Sequence, residues 1–426
     1  MEDKKITKNK PNKIKSIVGD SIFSVAVLVL MNVVAQFIVY PSWRSTFNDE
    51  FYGDILYLIS LMNILAVSMG VACNYARMTE SGKGKSLNLP YMAILGVSSV
   101  LGIFLAIFFG AFGGVDLSVF EICLYALLLC LTMWRYYADV EFRMSLNYRQ
   151  FFLYYLFISI GYGFGILLFR MSELWPLALL PGELFGLIFV FLKGKIFKAD
   201  SFANTKYFLG IVRTVLLLFG AEILSTIVFN GDRVVLKHFA GSSAVTVYYL
   251  ASLLGKTMAL LTTPLNGVIV GYLARYKGKI SVKIMNIVLG AAALIVLLAT
   301  VACTVGSHII VSILYPDDYD GAKAYFIIAN LAQIVYFVAG VVTVILLKFS
   351  RSRYQIYINV AFAAAFVLIC IPMAYFGGLS GFCWGMLLSC AVRFFSGIGL
   401  GYYDAIKLRR IEQQSRERRL DRSIDR

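Results

Sequence analysis

Long apolar blocks separated by short polar connections run along almost the whole chain. A helix that crosses a bilayer needs about 20 apolar residues, and blocks of that length recur throughout the sequence. The blocks lack the alternation of strands, and lipid permits only helices or closed barrels to span it. The pattern therefore predicts an all-α polytopic membrane protein with about 12 transmembrane helices. We place these spans at residues 18–41, 54–76, 90–112, 117–138, 150–169, 174–193, 207–230, 243–273, 282–304, 322–347, 355–376 and 378–402.

Composition and charge agree with a membrane protein. Hydrophobic residues make up 60% of the chain, against roughly 45–50% apolar residues in soluble domains. The net charge of +15 would also suit nucleic acid, but the basic residues flank the spans and form no basic face interleaved with aromatic residues. We therefore predict no nucleic-acid partner. The seven cysteines lack metal or disulfide spacing, which predicts packing roles, no metal site and no cofactor.

The distribution of Lys and Arg predicts the orientation, because cytoplasmic connections carry the excess of basic residues. Most of the 39 basic residues, Arg135 among them, fall on the same side as the basic amino-terminal arm and the carboxyl tail. Both termini are therefore predicted to be cytoplasmic. The tail from Lys407 onward is predicted to be a solvated helix or to contact the inner leaflet. The basic residues predicted on the outer side are Arg44, Arg170, Arg233, Lys237 and Lys323.

A shift of 192 residues aligns the chain with itself. It places Ser60 on Ser252 and carries the predicted span 90–112 onto the span 282–304. Six spans in each half give both halves the same orientation, as in transporters built from parallel repeats. We predict an amino-terminal lobe at 1–200, a carboxyl-terminal lobe at 201–405 and a basic cytoplasmic tail at 406–426.

Four of the charged residues inside predicted spans are candidates for function, because a charge there costs about 2.5–3.5 kcal/mol even on the gentler insertion scales. They are Glu183, Glu222, Lys256 and Arg393. One interpretation is a polar cavity in which Lys256 and Arg393 bind an anionic group, while Glu222 or Glu183 holds a proton or a cation. The alternatives are that Glu222 and Lys256 only neutralise each other on consecutive helices, and that Arg393 extends to the inner membrane surface.

Enzymatic chemistry has no support in the sequence. Asp317, Asp318 and Asp320 resemble an acidic metal motif of glycosyltransferases, but they lie in a short predicted outer connection with no domain around them. We therefore predict an acidic turn there, and a protein that is not an enzyme. Pro181 and Pro264 lie inside predicted spans close to charged residues, and they are candidate hinges because proline interrupts a helix.

Three stretches resemble conserved blocks of the polysaccharide flippases, a family of the multidrug/oligosaccharidyl-lipid/polysaccharide (MOP) exporter superfamily. The stretch 42–77 resembles the first block, 229–252 is similar to the second, and 314–325 resembles a short outer turn after the ninth span. Thr246 stands where the second block usually has glycine. The matching motif residues include Arg44, Gly53, Asn230, Asp232 and Arg233.

This resemblance implies two six-helix lobes that form a V-shaped cavity open alternately to each side. It implies a flippase of the bacterial inner or plasma membrane that moves an isoprenoid-diphosphate-linked oligosaccharide to the outer leaflet for surface-polysaccharide assembly. Lys256 and Arg393 would bind the diphosphate, and H⁺ or Na⁺ could drive the movement. A polysaccharide polymerase or another assembly protein would be a partner. The alternative with the same fold is an ion-coupled multidrug exporter.

Overall fold

The computed structural model describes residues 30–81, 88–145, 147–198, 205–260, 280–349 and 353–424. Within these ranges the regular elements are all helices, so the all-α prediction is confirmed. Eight of the described helices are long and apolar enough to cross a membrane. The chain is a multi-pass helical membrane protein. The first half of the predicted span 18–41, the end of the predicted span 243–273 and the candidate hinge Pro264 lie outside the described residues. The count of about 12 spans and the V-shaped cavity stay predictions.

Helices α1 to α9 occupy the described chain up to Ala240. They are α1 (Tyr40–Arg44), α2 (Asp49–Met62), α3 (Ser68–Ser81), α4 (Asn88–Phe112), α5 (Val119–Ala138), α6 (Val140–Ser145), α7 (Tyr148–Ser172), α8 (Leu180–Lys193) and α9 (Thr205–Ala240). A π-helical turn, Asn63–Val67, joins α2 to α3. A 3-10 turn, Trp175–Ala178, precedes α8. Pro181 lies in the first turn of α8, where its missing N–H is tolerated, so it begins this helix and does not kink its middle.

Helices α10 to α15 follow. They are α10 (Ser242–Leu260), α11 (Val282–Leu314), α12 (Tyr319–Ala322), α13 (Phe326–Phe349), α14 (Arg353–Ala365) and α15 (Ile371–Ile424). A π-helical turn, Phe366–Cys370, joins α14 to α15. Inside α15 the backbone leaves helical geometry at Gly378, with φ 55° and ψ −138°. Glycine tolerates this conformation because it has no Cβ. The break lies between the predicted spans 355–376 and 378–402.

The contacts divide the chain into two compact units, Met1–His238 and Phe239–Arg426. The predicted lobes were divided at 200 instead, which assigned α9 to the second lobe. The polar contacts of α9 described below are with α2 and α3, and they explain why this helix groups with the first unit. The lobes at 1–200 and 201–405 stay a prediction, because compact units and repeat boundaries need not coincide.

Ser60 and Ser252, which the repeat aligns, have the same local structure. Both are fully buried; Ser60 lies on α2 and Ser252 lies on α10. The Ser60 hydroxyl donates to the carbonyl of Leu56 at 2.9 Å, and the Ser252 hydroxyl donates to the carbonyl of Tyr248 at 2.8 Å. Each hydroxyl is therefore satisfied inside its own helix four residues back.

The core of the first unit at the predicted outer end is aromatic. Trp43 and Trp175 are fully buried, their rings meet edge-on at 5.8 Å, and the Trp43 indole N–H donates to the Trp175 carbonyl at 3.1 Å. Tyr125 packs beside Trp175 and donates to the carbonyl of Leu58 at 2.8 Å. These contacts fix α1, α5 and the turn before α8 against one another.

Helices α7 and α8 approach each other closely through glycines. Gly161 and Gly165 are spaced as in the small-xxx-small pattern of packed membrane helices, and Gly182 and Gly186 repeat the spacing on α8. A Cβ at Gly165 would lie 2.3 Å from the Ala178 carbonyl oxygen, and one at Gly161 would lie 2.5 Å from the Gly182 Cα. The glycines therefore set the distance at which side chains on α7 reach those on α8.

Replacing Gly165 by alanine is expected to destabilise the protein, because the new methyl group would collide with backbone and not with a movable side chain. Overpacking of this kind costs about 1–3 kcal/mol. Gly163 lies on the same helix, and a Cβ there would meet nothing within 4 Å, so Gly163→Ala is the matched control. Melting midpoints in detergent should fall for Gly165→Ala and stay unchanged for Gly163→Ala. Equal midpoints for the two variants would contradict the close approach of α7 to the turn Trp175–Ala178 that precedes α8.

Candidate functional site

A buried ion pair joins the middle of the first unit. The Arg135 guanidinium on α5 donates from Nε to Glu183 Oε2 on α8, and the two side chains are only 2% and 4% exposed. Tyr162 on α7 donates to the other carboxylate oxygen, Oε1, at 2.7 Å. The guanidinium also lies 4.0 Å from the centroid of the Tyr136 ring. One carboxylate thus receives two charge-strengthened hydrogen bonds from two other helices.

A second set of charges continues along α5. Asp139 is buried at the end of α5 and accepts a hydrogen bond from the Tyr155 hydroxyl at 2.9 Å. Arg143 lies 3.5 Å from the same oxygen, Oδ2. Tyr154 donates to the carbonyl of Arg135 at 3.2 Å and so connects this set to the first. Buried charges and tyrosines of α5, α6, α7 and α8 therefore form one polar cluster.

This cluster gives Glu183 a partner that the sequence did not supply. Glu183 was predicted as a proton or cation site, whereas Arg135 was assigned to a cytoplasmic connection. The structure places Arg135 inside α5 and in contact with Glu183. A carboxylate that a guanidinium already neutralises attracts a free cation only weakly. The available signal was that Arg135 falls within the predicted span 117–138, so it required a partner as much as Glu183 did.

Polar side chains on one face of α9 contact α2 and α3. Lys237 Nζ lies 2.5 Å from Asp54 Oδ1. Arg233 Nη1 lies 3.4 Å from the Ser60 hydroxyl oxygen. The Asn63 amide donates to the side-chain oxygen of Asn230 at 3.4 Å, and the hydroxyl oxygens of Ser68 and Thr226 are 2.5 Å apart. We call these four contacts the polar ladder.

The polar ladder includes two residues of the second family-like block, Asn230 and Arg233. Asp232, between them, is 1% exposed, and its Oδ1 accepts the backbone N–H of Arg233 at 2.9 Å. Gly53 is buried on α2, and Arg44 donates to the carbonyl of Phe47 at 2.8 Å. The motif residues therefore contact helix and turn backbones of the first unit.

Glu222 lies four residues before Thr226, on the face of α9 that carries the polar ladder. Its side chain is half-buried. Among the residues that the structure describes, its carboxylate has no hydrogen-bond or ion-pair partner, in contrast to Glu183. Lys256, the partner suggested by the sequence, belongs to the second unit, so the Glu222–Lys256 pair stays a prediction.

Lys256 lies on α10 beside a buried polar network of the second unit, and it is only 7% exposed. The neighbouring Gly255 N–H donates to Asn330 Oδ1 at 2.8 Å, and Asn330 in turn donates to the Ser307 hydroxyl at 3.0 Å. One turn away, Gln333 donates to the Tyr248 hydroxyl at 3.0 Å. These contacts connect α10, α11 and α13 through buried polar atoms.

Arg393 on α15 lies between two aromatic rings. Its guanidinium carbon is 4.1 Å from the centroid of Tyr336 on α13 and 5.6 Å from that of Phe362 on α14. Its Nε and Nη1 are buried and have no hydrogen-bond partner within the described part of the chain. Lys256 and Arg393 lie on different helices, and the ring contacts of Arg393 are with α13 and α14.

The acidic connection between α11 and α13 contains a 3-10 turn, Pro316–Asp318, and the short helix α12; Asp317 and Asp320 are exposed, whereas Asp318 is buried. Asp320 and Lys323 form a hydrogen-bonded ion pair at 2.6 Å, with side chains 85% and 49% exposed. This hydrogen bond raises the pKa of Lys323 above its ordinary value. Among the described residues no group of acidic, cysteine or histidine side chains could hold a metal ion.

Comparison with solved structures identifies the fold. The MurJ lipid II flippase in an inward closed conformation matches with TM-score 0.66 and 11% identity, over 93% of each chain. An inward-facing multidrug resistance MATE family transporter of the MOP superfamily matches with TM-score 0.62 and 14% identity, over 90% of this chain and 99% of that one. The Vibrio cholerae MATE transporter VcmN in its bent form matches with TM-score 0.58 and 14% identity, over 92% and 98%. No protein-family model and no curated protein sequence matches the chain. The chain therefore has the fold that the MATE transporters of the MOP superfamily and the MurJ flippase share.

Proposed function

We propose that the protein is a flippase that carries an isoprenoid-diphosphate-linked oligosaccharide from the inner to the outer leaflet for surface-polysaccharide assembly. The observation that carries the proposal is Arg393, a cation inside a membrane helix whose Nε and Nη1 have no hydrogen-bond partner in the described chain. A guanidinium presents donors in a planar fork that matches phosphate. A diphosphate would supply the acceptors that these donors lack.

The surroundings of Arg393 suit a ligand that arrives and leaves. Tyr336 and Phe362 stabilise the guanidinium through their ring faces without occupying its N–H groups. An acidic partner would neutralise the charge permanently, as Glu183 does for Arg135. The contrast between these two arginines favours a structural role for Arg135 and an anion-binding role for Arg393. Lys256, buried on α10, would supply a second cation.

A second candidate function is ion-coupled export of cationic drugs. Glu222 favours it, because this half-buried carboxylate has no partner in the described chain and such a group can attract a cation or carry a proton. The same carboxylate could also couple H⁺ or Na⁺ to flipping of an anionic cargo. The charge of the cargo therefore distinguishes the two functions.

Purified protein in liposomes tests both candidates. We expect it to move a fluorescent isoprenoid-diphosphate oligosaccharide between leaflets, measured as loss of protection from a membrane-impermeant quencher. The same vesicles should not accumulate a cationic dye under an H⁺ or Na⁺ gradient. Protein-free liposomes and liposomes with heat-denatured protein are the controls. Dye accumulation without glycan movement would replace the flippase proposal by the drug exporter.

A deletion strain provides the cellular counterpart. Cells that lack the protein should accumulate lipid-linked repeat units on the inner face and lose surface polymer, because the cargo can no longer cross. Unchanged polymer without accumulation would contradict the proposal.

A further inference from the structure

The carboxyl-terminal half of α9 depends on the polar ladder for its attachment to the first unit. The buried residues of this half are Asn230, Gly231, Asp232, Arg233 and Leu236, and two of them, Asn230 and Arg233, belong to the ladder. Farther toward the amino end, leucines such as Leu217 and Leu224 are 69% and 66% exposed. Much of α9 therefore presents its side chains to lipid.

Helices that rest on polar contacts in lipid can separate. Lipid tails are as apolar as leucine, so apolar side chains give little drive for two helices to stay together there, and polar contacts between helices act as the adhesive. The ladder places Thr226, Asn230, Arg233 and Lys237 at spacings of four, three and four residues, which is one face of a helix. These residues extend over about 17 Å of α9 at 1.5 Å per residue.

The ladder runs inward from the predicted outer surface. Asp54 and Lys237 lie at the outer ends of α2 and α9, where both charges can be hydrated when they part. Ser68 and Thr226 form the innermost contact. The π-helical turn Asn63–Val67 begins at Asn63, the partner of Asn230, and ends just before Ser68, the partner of Thr226. Such widened turns allow a helix to change direction. Beyond Thr226, the same face of α9 continues with the unpaired carboxylate of Glu222.

We infer that the polar ladder is a reversible outer closure: it joins α9 to α2 and α3 in the state described here, and it separates when cargo leaves on the outer side. The inference rests on transport across the membrane but not on the identity of the cargo. Separation of the ladder exchanges its four contacts for contacts with water. Water reaches the outer ends of the helices first. Asp54, Arg233 and Lys237 are then gating residues and do not bind the cargo.

A disulfide across the innermost contact tests this inference. The hydroxyl oxygens of Ser68 and Thr226 are 2.5 Å apart, close enough for the sulfur atoms of a Ser68→Cys, Thr226→Cys pair to bond after small adjustment. Oxidation should cross-link α3 to α9 and reduce glycan movement in liposomes at least tenfold, and reduction should restore it. Each single cysteine variant and the unchanged chain, with its seven native cysteines, receive the same oxidant as controls.

Two results of this experiment would overturn the inference. Transport at the unmodified rate in fully cross-linked protein would mean that the ladder need not open. Failure of the folded double variant to cross-link would mean that the contact is not formed in the membrane. Mass spectrometry of the cross-linked peptides distinguishes the engineered pair from pairs with native cysteines.

A charge exchange tests the outer contact without any cargo. The reporter is Ser60→Cys, buried beside Arg233, in a chain whose exposed Cys123 is replaced by serine. Lys237→Asp should increase its labelling by a membrane-impermeant maleimide added outside at least tenfold, and Asp54→Lys together with Lys237→Asp should reverse the increase. Lys323→Asp, in the exposed Asp320–Lys323 pair, is the control and should change nothing.

Because labelling needs no transport, it separates the two proposals. Glycan transport could be absent while labelling still follows the charges, in which case only the proposed function fails. Labelling that is the same in Lys237→Asp and in the unchanged protein would overturn the outer closure, whatever the cargo is.

Discussion

Replacing Arg135 by alanine is expected to lower the melting midpoint of the protein in detergent by many degrees and to reduce the folded yield. Glu183 would remain buried at 4% side-chain exposure with only the Tyr162 hydroxyl as a partner. Removal of one member of a buried ion pair costs about 3–5 kcal/mol, because the other charge is left uncompensated. Differential scanning fluorimetry and the monodisperse fraction on gel filtration measure the loss.

A double variant identifies the cause. Arg135→Met with Glu183→Met removes both charges and keeps much of the side-chain volume, and replacement of a whole buried pair by apolar residues is often neutral. We therefore expect the double variant to be more stable than either Arg135→Ala or Glu183→Ala. Lys323→Ala, which breaks the exposed pair with Asp320, is the matched control and should leave the midpoint unchanged. Equal midpoints for Glu183→Ala and the unchanged protein would show that the pair is not structural.

The sequence predicted the all-helical architecture and the main span positions because these follow from local apolar length, which a single chain displays. It also predicted a helix around Glu183, and the residue lies in the first turn of α8. It could not pair Glu183 with Arg135, since the two residues are 48 positions apart and meet only after α5 packs against α8. Arg135 was instead counted among the flanking basic residues, because it lies close to the end of its span.

The contacts of the polar ladder also could not be predicted from the sequence, because they join residues that are far apart in the chain. Asn230 and Arg233 were identified from their resemblance to a family block and Ser60 from the internal repeat, but nothing in the sequence pairs Ser60 with Arg233, and its neighbour in the ladder, Asn63, carries no signal of its own. Serine and asparagine are common in helices, and only the register between α9 and α2 gives them a role. The break at Gly378, by contrast, was predictable, because two glycines between apolar blocks mark the division of two spans.

The charged residues of the described membrane helices fall into two physical classes. Arg135 and Glu183 form an ion pair inside one unit, although Arg135 Nη1 has no hydrogen-bond partner in the described chain, and Lys237 and Asp54 form an ion pair at the predicted outer surface. Glu222 and Arg393 have no ion-pair partner among the described residues. A charge that is paired stabilises one structure, whereas an unpaired charge in lipid is costly unless a ligand, an ion or water meets it during function. The second class is therefore where transport variants should act.

Replacing Arg393 by alanine is expected to reduce movement of the diphosphate-linked glycan at least tenfold while leaving the melting midpoint unchanged or raised. The guanidinium would be needed by the cargo, and each tenfold loss of rate corresponds to about 1.4 kcal/mol. Its Nε and Nη1 have no partner in the described chain, so removing them strands no other group, and burial of unsatisfied donors costs stability. Quencher protection in liposomes measures the rate.

Two substitutions separate charge from geometry at this position. Arg393→Gln keeps a polar side chain without the charge and should be as slow as alanine. Arg393→Lys keeps the charge but loses the planar fork and the stacking on Tyr336, so its rate should lie between the two. Arg170→Ala, at an exposed arginine on α7, is the matched control and should move the glycan normally. A stable Arg393→Ala protein with unchanged glycan movement would contradict the assignment of diphosphate binding to Arg393. No other property of this side chain predicts a loss of transport without a loss of stability.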